Sequence, residues 1–166
     1  MARTTIRLVL LVGLCLTGCD KKVSGAPSEA QRTADVLTGN AAGDASANPQ
    51  CKTFTVADIA SFAGTPVQPG ENAAMGTGCQ WSARNDHGFV MVQVVRAQDH
   101  NPPSGAPGYE ELPAVGRDGF IVDEGDSWSA GTIQGDKSIN IMVSTGADEQ
   151  HTLAFLREVM KRTPAP

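Results

Sequence analysis

The chain has 166 residues, 40% of them hydrophobic and 5% aromatic, with 13 Lys and Arg against 18 Asp and Glu for a formal charge of −5. That length suits one domain with an extension. An acidic chain without clustered Lys or Arg is a poor nucleic-acid binder, because phosphate neutralisation needs such clusters. So few aromatics also argue against a stacking platform for bases or sugars.

Arg3 and Arg7 form a basic start, and Ile6 to Leu16 is nearly all apolar. The run is shorter than the roughly 20 residues of a spanning helix and has the length of a signal-peptide core. Leu16-Thr17-Gly18-Cys19 closes it. This tetrapeptide resembles the lipobox of bacterial lipoproteins, which implies cleavage after residue 18 and a lipid on Cys19. Only a thiol forms the thioether that carries diacylglycerol. Two or more acyl chains hold a protein firmly on a bilayer where one does not. Asp20 follows, and an Asp there resembles an inner-membrane retention signal. The periplasmic face of the inner membrane is therefore expected ahead of the outer membrane.

Asp20 to Gln50 is rich in Ala, Ser, Gly, Asn and Asp. Such composition buries too little apolar surface to order itself, so a linker spanning 19–50 is expected. A flexible chain of that length has an r.m.s. reach of roughly 30 Å. Within it, Ser28-x-x-Gln31 mimics a capping box, with Ala30, Ala34 and Leu37 on one side of a short helix.

The folded domain is expected over 51–166. Cys51 and Cys79 are the remaining pair besides Cys19 in the exported part. An even pair in such a compartment implies a disulfide. A zinc site would need two of His87, His100 and His151 as well, without short ligand spacing, and a redox pair would sit as C-x-x-C. No metal and no cofactor are expected.

Thr53 or Thr55 can cap a helix with Asp58 in its first turn and Val56, Ile59, Ala60 and Ala63 on one face, stopped by Gly64 and Pro66. Gly78 to Arg84 alternates as a half-buried strand, and Asn85-Asp86-His87-Gly88 is turn chemistry. Phe89 to Val95 is apolar on both faces except Gln93, as a central strand would be. Asn101 to Gly108 is a long Pro/Gly loop, a surface connection or a binding lip. Pro113-Ala114-Val115-Gly116-Arg117-Asp118 leads into strands at Phe120 to Asp123, Ser127 to Ile133 and Ser138 to Val143. Trp81-Ser82-Ala83 recurs as Trp128-Ser129-Ala130, which points to two similar hairpins with core tryptophans. The last helix runs from about Asp148 to Arg162, with Leu153, Leu156, Val159 and Met160 as its stripe and Phe155 off centre.

The fold class expected is α+β: an antiparallel sheet of about five strands, two helices packed on one face, and one disulfide. The opposite face would carry Ser82, Arg84, Gln93 and Asn140. Cys51, Cys79-Gln80-Trp81 and the segment Pro113 to Asp118 together resemble small bacterial envelope lipoproteins of the Cys…Cys-x-Trp type. In that class Gly and Asp are adjacent, whereas Arg117 stands between them here. The resemblance implies a non-enzymatic envelope role. The function expected is a binding or accessory module, anchored to the membrane by lipid, with protein or peptidoglycan-associated envelope partners. Gly125-Asp126-Ser127 and Asp148-Glu149-Gln150-His151 also resemble two blocks of GDS-type esterases. That alternative would make Ser127 nucleophile, His151 base and Asp148 its orienter. The blocks lie too close in sequence for that family's parallel α/β domain, and its oxyanion blocks have no counterpart.

Overall fold

A computed structural model describes residues 45–85 and 87–164. The signal segment, Cys19, the linker through residue 44, the Ser28–Leu37 pattern and Asp86 lie outside the described residues.

Among the described residues three α-helices and seven strands follow in order: α1 (Pro49–Thr53), α2 (Val56–Ala63), β1 (Glu71–Ala73), β2 (Gly78–Ser82), β3 (Phe89–Arg96), β4 (Tyr109–Glu111), β5 (Arg117–Asp123), β6 (Trp128–Gln134), β7 (Lys137–Val143) and α3 (Glu149–Arg162). All strands join one antiparallel sheet in the order β1-β2-β3-β7-β6-β5-β4. The class is α+β as expected. The strands number seven rather than about five because both edges carry a three-residue strand, too short to show a period-2 pattern.

The chain enters the sheet at its β1/β2 edge. Asn48 is buried there, and its amide donates to Gly78 O (2.7 Å) and Asn72 Oδ1 (2.8 Å). Its Oδ1 accepts from Gln50 N, so one side chain both caps α1 and fastens it to the sheet. The Cys51–Cys79 disulfide bonds the same helix to β2. The described residues ahead of Cys51 include a 3-10 turn at Ala45–Ala47 and the first turn of α1. Gly70 crosses this corner, where a Cβ would fall 2.6 Å from Cys79 Sγ and 2.7 Å from Trp81 Nε1, so no larger residue fits without displacement.

Helix α2 begins with a full capping box. Thr55 accepts from Asp58 N and Asp58 accepts from Thr55 N, while Gly64 ends the helix in the left-handed region. Helix α3 is capped by Asp148. Its buried stripe is Thr152, Phe155, Leu156 and Val159, with Leu153 and Met160 only half-buried. Phe155 is thus central and not marginal. Its ring meets Phe62 at 4.8 Å and Phe54 at 5.7 Å, and Phe54 meets Trp81 edge-on at 6.3 Å.

The sheet's helix-covered face carries Cys79, Trp81, Val90, Val92, Ala130, Ile139, Ile141 and Val143. The repeated tripeptide has a place in this pattern. Trp81 stands opposite Val90, Val90 opposite Val143, and Val143 opposite Trp128. The two tryptophans stand in the same cross-sheet row on either side of Val90 and Val143, and both pack in or against the core.

Candidate functional site

On the other face the β2-β3-β7 half presents Gln80, Ser82, Phe89, Met91, Gln93, Asn140 and Met142, none of them fully buried. Arg84, expected here, lies beyond the strand and turns its Nε onto Val67 O at 3.0 Å. The β5 half is roofed. The segment from the 3-10 turn Ala97–Asp99 to Tyr109 folds back over it, setting the rings of His100 and Tyr109 5.9 and 6.0 Å from Phe120. Phe120 and Val122 are consequently buried on a face that would otherwise meet water.

Between this roof and the turn before β5 lies a cleft of about 660 Å³. Its lining comes from both stretches that stood out in the sequence. The Pro/Gly loop supplies Pro102 and Ser104, and the Pro113-to-Asp118 motif supplies Pro113, Gly116, Arg117 and Asp118. Ala97, His100, Tyr109, Glu111, Gly119 and Ile133 complete it.

The motif is shaped by a register break between Arg117 and Phe120, a bulge of the kind that re-aims side chains. Asp118 sits at φ 52° and Gly116 at φ 153°. A Cβ on Gly116 would fall 2.4 Å from Thr132 Oγ1, so the turn packs directly on β6. Positive φ at a non-glycine residue persists only where the surroundings hold it. Here they do: Thr132 Oγ1 donates to Arg117 O at 3.2 Å, and His100 Nε2 reaches Asp118 O at 3.1 Å.

His100 ties the two walls together. A carbonyl oxygen only accepts, so Nε2 carries the hydrogen and donates to Asp118 O. In the neutral ring, Nδ1 then accepts from Ser138 Oγ at 2.8 Å, and Ser138 Oγ in turn accepts from Asn140 Nδ2 at 3.1 Å. Ser138 is fully buried, so its hydroxyl is a strut between sheet and loop. Nothing in the one-dimensional pattern links His100 to Ser138; strand pairing brings them together.

The esterase residues lie elsewhere. His151 Nδ1 is 2.8 Å from Asp148 Oδ1, as a base and its orienter would be, but the same Oδ1 accepts the His151 backbone N–H at 2.9 Å. The pair is a helix cap one turn long. These bonds hold the Asp148 carboxyl below its usual range, the backbone bond foremost. Ser127 Oγ donates to Glu124 Oε2 at 3.1 Å. The hollow of about 230 Å³ beside His151 is lined by Phe62, Thr145 and Ala147 among others, and Ser127 is not among its described lining residues.

Cys51 and Cys79 serve as the disulfide. Among the described residues no three His, Cys, Asp or Glu side chains group closely enough for a metal ion, and no helix is long and apolar enough to cross a membrane. No family model, curated protein or solved structure matches this chain.

Proposed function

We propose that this protein is a lipid-anchored binding module of the cell envelope, held by acyl chains on Cys19, and that the cleft under the Pro/Gly loop is its ligand site. One observation carries the reading. The chain arrives at the β1/β2 edge, pinned by Asn48 and the disulfide, while the cleft opens at the β4/β5 edge. At about 4.8 Å per strand, β2 and β5 are roughly 19 Å apart. An anchor on one edge leaves the other free to meet a ligand. The cleft's volume falls within the roughly 300–1,000 Å³ of small-ligand sites.

The test has two parts. Mass spectrometry of the native material is expected to find a diacylated N-terminal Cys19. Hydrogen exchange over 97–119 is expected to slow in the presence of an envelope extract, and Ser104→Trp, which fills the lip, is expected to abolish that protection. An unmodified N-terminus, or protection indifferent to Ser104→Trp, overturns the reading. The runner-up, a serine esterase on Ser127, His151 and Asp148, is favoured only by the His151–Asp148 contact. Ester hydrolysis lost in Ser127→Ala would establish it.

A further inference from the structure

Taking the cleft as the ligand site, we propose that it selects a small zwitterion of peptide type, its carboxylate on Arg117 and its ammonium between Glu111 and Asp118. The lining carries one guanidinium and two carboxylates, and its other charged-group candidate, His100, has both ring nitrogens engaged. Arg117 uses one of its five N–H donors, and that weakly, on Gly135 O at 3.4 Å. Its remaining fork matches a carboxylate, the pairing in which guanidinium is strongest.

Glu111 and Asp118 have no hydrogen-bond partner for their carboxylates among the described residues, and they belong to no metal-type cluster. A simple anion would add to the excess of carboxylate in the lining and leave Glu111 and Asp118 without a partner. A ligand bearing both an anion and an organic cation offers a partner to each sign. The aliphatic part of the wall is Ala97, Pro102, Pro113 and Ile133, with Tyr109 as its one phenol ring, which fits slim aliphatic side groups. Arg117 and Asp118 are exposed side chains on a bulge whose carbonyls are held by Thr132 and His100, so the backbone that bears both is braced before the ligand arrives.

The experiment uses the full lipidated chain in detergent and calorimetric titration with three probes: trialanine, N-acetyl-trialanine and trialanine amide. Free trialanine is expected to bind at least tenfold more tightly than either capped form. Arg117→Gln is expected to erase the preference for the free carboxylate while keeping that for the free amine. The double change Glu111→Gln with Asp118→Asn is expected to do the reverse. Unchanged melting and unchanged His100 ring shifts show that each variant is folded. Equal binding of capped and free peptides, or preferences that survive the substitutions, overturns the inference. Binding of none of the three also overturns it. In that case exchange over 97–119 in envelope extract separates the outcomes: protection there leaves the cleft as the site of another ligand, and none there removes the parent reading as well.

Discussion

Asn48 shows how much one side chain can settle. It is buried, yet every polar atom of its amide is spent: the nitrogen on Gly78 O and Asn72 Oδ1, the oxygen on Gln50 N. Replacing it with Ala removes a helix cap, worth about 1 kcal/mol, and strands a buried carbonyl, worth about 1–3 kcal/mol. Asn48→Ala should therefore lower unfolding free energy by about 2–3 kcal/mol in urea titration. Asn48→Asp, which keeps the cap and loses the donors, should be no better. Phe155 makes the same point for the core. It contacts two other rings and is fully buried, so Phe155→Ala should cost about 3–5 kcal/mol. Leu153→Ala, at a half-buried position, should cost much less. Equal losses at the two positions would mean that the stripe of Leu153, Leu156, Val159 and Met160 expected from the sequence was the true one.

At the scale of elements, Arg162 joins three helices. Its guanidinium reaches Asp58 at 3.1 Å, Glu158 at 2.7 Å and Thr53 O at 3.3 Å, and lies 4.8 Å from the centre of the Phe54 ring. The bond from Arg162, followed by those from Thr55, holds the Asp58 carboxyl far below the usual carboxylate range. The Arg162 bond likewise lowers Glu158. Folded values below unfolded ones mean that the unfolded chain takes up protons first on acidification. The stabilisation is thus complete above the unfolded carboxylate value of about 4 and is lost as pH falls below it. Melting temperature should be level from pH 7 to pH 5 and fall below pH 4. Arg162→Gln should melt lower at pH 7 and show a shallower acid fall.

The elements that were legible beforehand are those with local signals: a threonine cap at Thr53 or Thr55, the stop at Gly64, the long strands β3, β6 and β7, and the last helix from about Asp148. Strands β1 and β4 carry three residues each, and their pairing partners alone define them. The site was half legible for the same reason. Its two walls stood out as a Pro/Gly loop and a Gly-Arg-Asp turn. Their meeting depends on His100 reaching Ser138 and on a bulge in β5, both products of strand order.

For the whole molecule, the two edges of the sheet carry different structures. The β1/β2 edge bears the disulfide, the Asn48 clamp and the crossing at Gly70. The β4/β5 edge bears the roofed cleft. The disulfide spans a sequence separation of 28, and the chain-entropy view gives such a loop roughly 3.5 kcal/mol. That term acts mainly on the unfolded chain, and energetic effects more than about 10 Å apart without shared partners add independently. Replacing both Cys51 and Cys79 by Ala should therefore lower global stability by about 3 kcal/mol in denaturant. The His100 ring resonances, which report contact with Ser138 and Asp118, should not move. A shift of those resonances with the disulfide removed would show that the disulfide-bonded edge and the cleft are coupled, and the independence argued here would not stand.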